Sequence, residues 1–163
     1  MSTTTAPTTA RGQPVENTSE AFGVTPVNRV KRVHERGRYD RKTVYEILDA
    51  ALVCHIAYVI DGRPYCTPTS FWREGDHLYW HGSSASRMLR TPKDGIPVCV
   101  TVSLLDGLVV ARSGFHHSIN YRSVMLFGQA QKVEDPAAKL QALENFVEHM
   151  YPGRWKELRP VND

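Results

Sequence analysis

The chain has 163 residues, 41% of them hydrophobic and 23% charged, a globular balance that excludes a wholly disordered or fibrous protein and allows a core without disulfide or metal staples. Twenty Lys and Arg against seventeen Asp and Glu leave a formal charge of +3, too slight to imply a nucleic-acid partner. The longest apolar runs, Leu52 to Ile60 and Ile96 to Leu105, are broken by polar residues and fall short of the ~20 residues of a bilayer span. The N-terminus lacks the apolar stretch of a secretory signal, and three cysteines cannot all pair within one chain. A cytoplasmic protein with no membrane partner is expected.

Residues 1–28 are rich in Thr, Ser, Pro and Gly with few large apolar side chains, so they are expected to be a disordered tail ahead of a single domain over residues 29–163. Between Arg29 and Lys42 lie seven basic side chains (Arg29, Lys31, Arg32, Arg36, Arg38, Arg41, Lys42) and two acidic ones, a stretch that either meets phosphate or is simply solvated. Thr43 and Glu46 have capping-box spacing, and Val44, Ile47, Leu48 and Ala51 recur at helical intervals, which predicts a helix from Thr43 to Ala51.

Strand signals follow. Leu52 to Ile60 is apolar and partly β-branched, Asp61-Gly62 is a two-residue hairpin signal, and Arg63 to Trp72 reads as the returning strand. A second turn at Glu74-Gly75-Asp76 leads into His77 to His81. The texture then changes to small polar residues, Gly82 to Ser86, before Arg87, Met88 and Leu89, which reads as a loop opening a short helix. Ile96 to Leu105, Leu108 to Ser113 and Tyr121 to Val133 are expected as three more strands, the last bent at Gly128 by a bulge. In the closing helix Asp135 is the cap, Pro136 takes the first position, and Leu140, Leu143, Phe146, Val147 and Met150 form one apolar face before Pro152-Gly153. The pattern predicts a mainly β, α+β fold: a six-stranded antiparallel barrel or sandwich with short flanking helices.

Three segments carry candidate chemistry. In His81-Gly82-Ser83-Ser84-Ala85-Ser86-Arg87, exposed amides at a helix start, serine hydroxyls and a guanidinium together suit a phosphate dianion; the same residues also suit an ordinary capped helix with a surface arginine. Thr67-Pro68-Thr69-Ser70-Phe71-Trp72 is a strand that begins with small, hydroxyl-bearing residues against which a flat ring could lie, with Phe71 or Trp72 nearby, or an edge strand marked by Pro68. Ala111 to Ser123, containing His116, His117, Asn120, Tyr121 and Arg122, is dense in donors between two apolar strands. No metal site is expected: adjacent His116 and His117 point apart if extended, and Cys54-His55, Cys66, His81 and Cys99 lack ligand spacing. Neither a G-x-G-x-x-G after a strand, nor a G-x-x-x-x-G-K-[ST], nor a G-x-S-x-G elbow is present.

Taken in order, several strings resemble the FMN-binding split-barrel superfamily that contains pyridoxamine 5'-phosphate oxidase, in its flavin-nucleotide-binding, nitroimidazole-resistance-like branch. They are Arg36-Gly37-Arg38-Tyr39-Asp40, Ile47-Leu48-Asp49, Val53-Cys54-His55-Ile56, Pro68-Thr69, His81 to Leu89, Asp106 to Ser113, Ser118 to Val124, Phe127-Gly128 and Pro152-Gly153-Arg154-Trp155. The resemblance runs from about Val33 to Pro160.

It implies a six-stranded antiparallel split β-barrel that forms a homodimer with FMN at the subunit interface, and an FMN-dependent oxidoreductase acting on a small molecule such as a nitro compound, a quinone-like acceptor or a pyridoxamine phosphate-like amine. Carried onto this chain, Thr67, Pro68, Thr69, Ser70 and Phe71 lie along the isoalloxazine ring. His81, Gly82, Ser83, Ser86 and Arg87 hold the phosphate, with Ser86 and Arg87 as its direct contacts. Asn120, Tyr121, Arg122 and Ser123 sit near the flavin or the dimer contact. The resemblance assigns no catalytic residue. The alternative in the same superfamily is a non-catalytic flavin- or haem-binding carrier or sensor, with haem held by His116 or His117. The branch continues past Pro-Gly-Arg-Trp into a further strand, whereas this sequence stops at Val161-Asn162-Asp163. Either the sequence is truncated there, which leaves a sheet edge open, or the barrel closes without that strand.

Overall fold

The computed structural model describes residues 2–5, 20–83 and 95–160. Five antiparallel strands, β2 (Val53–Ile60), β3 (Arg63–Glu74), β4 (His77–Trp80), β5 (Ile96–Val109) and β6 (Ser118–Lys132), form one curled sheet in the order β4-β3-β2-β5-β6. The short strand β1 (Ser2–Thr5) pairs with both outer strands, Ser2 opposite Trp80 and Lys132, and closes the ring. A sheet edge carries unpaired amides and carbonyls, and β1 satisfies two such edges with backbone alone.

The hairpin at Asp61-Gly62 is as expected: both residues have positive φ, 51° and 72°, the requirement of a tight turn matched to strand twist. The next expectation is corrected. Leu108 to Ser113 is not a separate strand, because β5 runs unbroken through Asp106-Gly107 with a register shift between Leu105 and Gly107, and pairs with β6 from Ile96↔Ala130 to Val109↔Ser118. The bulge therefore lies on β5; at Gly128, opposite Val98, the ladder is regular.

Helix α1 (Arg41–Asp49) starts two residues earlier than predicted, because the Asp40 carboxylate accepts the Thr43 amide at 2.8 Å and takes the cap expected of Thr43. Its buried residues Val44, Ile47 and Leu48 join Cys54, Ile56, Phe71, Trp80, Val100, Val102 and Val124 in one core inside the sheet. Arg73 of β3 holds Asp49 in a two-pronged ion pair, 2.8 and 2.5 Å. Arg41 and the Tyr45 hydroxyl both donate to Asp76 in the β3–β4 turn. Burial alone would raise the Asp76 carboxyl, but the bonds from Tyr45 and Arg41 outweigh it and hold it below its ordinary value.

Helix α2 (Pro136–Met150) is capped by Asp135, which accepts the Ala138 amide at 2.7 Å, with Pro136 in the first turn as expected. Its expected apolar face is only partly used: Leu140 stays exposed, while Phe146 packs on Trp72 with ring centroids 5.0 Å apart. Glu74 fastens the helix, accepting Trp72 Nε1 at 2.7 Å and Asn145 Nδ2 at 2.9 Å. Ahead of α1, residues 20–22 pack on the domain rather than lying free. The Phe22 amide donates to the Tyr39 carbonyl at 2.8 Å, and the Phe22 ring lies edge-on to Tyr45.

Candidate functional site

Residues paired across antiparallel strands share a face, so the pairing decides where each candidate points. Thr67 and Thr69 of β3 lie opposite Ile56 and Cys54, both fully buried, and therefore face inward; the Thr67 hydroxyl meets the Tyr58 hydroxyl at 3.1 Å. Phe71 is 1% exposed and belongs to the core. Pro68 and Ser70 lie opposite His55 and Val53 and face outward.

The outward face continues across the sheet. His55 is opposite Thr101, which is opposite Met125; Ala57 is opposite Cys99, which is opposite Phe127. Val53, Val59, Met125 and Phe127 are all exposed there. Burial places Val124 inward, so Tyr121 and Ser123, opposite Leu105 and Ser103, share the outward face. Arg122 takes the other face and grips Asp106 with bonds of 2.8 and 3.0 Å, which hold that carboxyl below its ordinary value. Asn120 sits past the bulge, opposite Gly107.

The β4–β5 loop begins at His81, Gly82 and Ser83, all exposed. The Thr69 hydroxyl donates to the His81 carbonyl at 3.4 Å, and the His81 ring stands edge-on to Phe146 with centroids 4.8 Å apart. The end of β3, the start of the loop and α2 thus meet at one place. Ser86, Arg87 and the short helix expected after them lie outside the described residues.

Of the predicted site residues, the structure gathers Pro68, Ser70, Tyr121 and Ser123 on one open face and Thr69 with His81 at its end. It separates Phe71 and Arg122 from that face. His55, Thr101, Met125 and Phe127 are outward residues that the sequence reading did not single out; the alternation Val53, His55, Ala57, Val59 along β2 was the signal. His116 and His117 lie at the β5–β6 turn, where His117 Nδ1 is 3.1 Å from the Ser113 carbonyl. No group of three metal-ligating side chains occurs among the described residues. Burial pushes the Cys54 thiol up to about 12, so it is inert, whereas Cys66 is exposed and Cys99 partly so.

A curled antiparallel sheet closed around a core, with a helix over one end of its outer face and the rest of that face open, is the architecture of a split-barrel protein. The comparisons agree. The chain belongs to the pyridoxamine 5'-phosphate oxidase family, a flavin-binding split-barrel family whose sequence profile matches residues 40–163. Among solved structures, the flavocytochrome Anf3 from Azotobacter vinelandii shares 49% identity with a TM-score of 0.78 over 85% of this chain and 64% of its own. An FAD- and haem-binding protein from Mycobacterium smegmatis shares 41% identity, with a TM-score of 0.69, over 76% of this chain and 60% of its own. A protein described as a 5-nitroimidazole antibiotic resistance protein from Bacteroides thetaiotaomicron shares 25% identity, with a TM-score of 0.52, over 76% of this chain and 70% of its own. The chain thus spans less than two thirds of the first two. No curated protein sequence matches it. No helix among the described residues is long and apolar enough to cross a membrane.

Proposed function

We propose that the protein binds a flavin nucleotide, FMN in the first instance, and works as an oxidoreductase on a small molecule. The observation that carries this reading is the outward sheet face, where apolar side chains (Val53, Met125, Phe127) alternate with hydroxyl and imidazole groups (Ser70, Ser123, His55). That donor set suits a flat heteroaromatic ring: apolar contact for its faces, and a few hydrogen bonds for its edge. When bound, the flavin supplies the hydride or electron chemistry.

The chain's own residues have three tasks. Ser70 and Pro68 present a small, close surface to the ring, while Thr69 ties β3 to the loop at His81. The loop from His81 to Arg87 offers amides, hydroxyls and a guanidinium to the phosphate. The open face needs a cover that excludes water, and a second copy of the chain supplies it in this proposal. Apolar residues on both long strands, including Leu108, Ile119 and Met125, are exposed in the single chain, as a self-associating face requires. Unpaired thiols at Cys54, Cys66 and Cys99 suit a reducing, cytoplasmic compartment.

A second reading, a haem-binding carrier or sensor, is favoured by the haem named for two of the similar structures. Imidazoles stand available at His116, at His117 and, on the apolar face, at His55. The absorption spectrum of the purified protein decides between them: a flavin doublet supports the first reading and an intense Soret band alone the second. Turnover of NADH or NADPH with a nitro or quinone acceptor then separates an enzyme from a carrier.

A further inference from the structure

The segment from Gly23 to Arg38 takes no part in the core, yet it is firmly built. Thr25 and Asn28 close a reciprocal pair of bonds, the Thr25 amide to Asn28 Oδ1 at 2.6 Å and the Asn28 amide to Thr25 Oγ1 at 3.3 Å, and Asn28 Nδ2 donates to the Gly23 carbonyl at 2.9 Å. The Val30 amide donates to the Tyr39 hydroxyl at 2.7 Å. With its backbone tied inward, the segment turns its side chains out. Arg29, Lys31, Arg32 and Arg36 are exposed and form no ion pair among the described residues. Val24 and Val27 ahead of them and Val30 and Val33 among them are 48, 67, 41 and 40% exposed. Val33 holds φ 51°, a left-handed conformation that a β-branched residue rarely adopts.

A solvated connector has no use for four outward valines on a fastened backbone. Free cations around exposed aliphatic groups are the complement of a protein surface with a small apolar centre and an acidic rim. A nucleic acid fits less well, because residues 23–38 carry no Phe, Tyr or Trp for base stacking and offer only the His34 imidazole.

We infer that the segment Gly23 to Arg38 is a docking surface for an acidic protein of the electron-carrier kind, a proposal that rests on the flavin reading for the partner's role. The cations steer the approach and the valines make the contact. Such encounters are small, weak and strongly salt-dependent.

The test uses rubredoxin, a small acidic iron protein, as the probe, with calorimetry at low and high salt on the full chain. The triple variant Arg29→Glu, Lys31→Glu, Arg32→Glu is compared with a charge-matched control, Arg63→Glu, Lys132→Glu, Lys139→Glu, circular dichroism confirming the fold of each. At low salt the triple variant is expected to bind rubredoxin at least about tenfold more weakly than the parent, with the control near the parent and the parent itself weakened by salt. Should the triple variant misfold, Arg36→Glu alone is expected to weaken binding about threefold.

Equal weakening in the control reduces the effect to net charge and overturns the proposal. So does tighter binding, through the same residues, of a single-stranded DNA or of phosphatidylserine vesicles. The flavin spectrum is recorded on the same samples: a colourless protein that still binds rubredoxin removes the flavin reading and leaves the docking surface, and a yellow protein that does not bind it does the reverse.

Discussion

The Thr69 hydroxyl donates to the carbonyl of His81 at 3.4 Å, so the strand proposed to carry the flavin ring and the loop proposed to carry its phosphate are joined by a contact twelve residues apart in sequence. The His81 ring is braced from the other side by Phe146, which itself leans on Trp72. The loop's first residue is therefore held between β3 and α2.

Phe146→Ala removes that brace. The ring is partly buried, so the loss of stability is expected to be about 2 kcal/mol, less than the ~3–5 kcal/mol of a fully buried phenylalanine. FMN affinity should fall while riboflavin affinity changes little, because the loop is proposed to hold the phosphate. Urea unfolding and parallel fluorescence titrations with the two flavins check both parts.

Within the loop, Arg87→Ala is expected to weaken FMN binding about ten- to a hundredfold, the worth of one guanidinium–phosphate hydrogen bond of roughly 1.5–3 kcal/mol. From the sequence Arg87 is expected in the first turn of a helix, where a cation opposes the macrodipole unless an anion lies before it. Arg90→Ala, three residues on, should change affinity by less than a factor of about two. The reverse order would withdraw the phosphate assignment for the whole loop.

Acid stability should depend on Asp76. Its carboxyl is held below the ordinary 3.8 by Tyr45 and Arg41 against the opposing effect of burial. A group depressed in the folded state stabilises above its unfolded value and loses that contribution as pH falls through the folded one. Asp76→Asn should therefore cost about 1–3 kcal/mol at pH 7 and progressively less below about pH 4. Urea unfolding at several pH values from 7 to 3 measures the convergence.

Self-association should depend on the outward face. Phe127→Glu places a charge among exposed apolar residues of β6, on the same face as His55 and Met125. The parent is expected to sediment as a dimer at micromolar concentration and the variant as a folded monomer with little bound flavin. A parent that sediments as a flavin-loaded monomer would refute the shared site.

Gly95, just before β5, has φ 83°, and a Cβ added there would stand 2.7 Å from the Ala130 carbonyl oxygen. Gly95→Ala should destabilise by about 1–3 kcal/mol, visible as a lowered thermal midpoint with no change in the spectrum of bound cofactor.

Where a local rule has one outcome, the sequence was enough. Asp61-Gly62 requires positive φ at both turn residues, and Asp135-Pro136 can hardly do anything but start a helix; both elements stand where they were read. The family strings from Arg36 to Trp155 likewise carried the split barrel. Where one local signal serves two geometries, the sequence left a choice that packing made. Asp106-Gly107 reads as a turn, but the long ladder to β6 keeps the strand running and makes it a bulge. Asp40 and Thr43 are both good caps, and the backbone at Asp40 won.

The candidate site divides in the same way. Which of Thr67 to Phe71 share a face follows from the period of a strand, but which face is open followed only from their pairing with buried Cys54 and Ile56. Ser2–Thr5 lies in the stretch expected to be a disordered tail, where three β-branched threonines are a weak signal: its place between β4 and β6 is made by backbone pairing, so only the edges it meets could decide it.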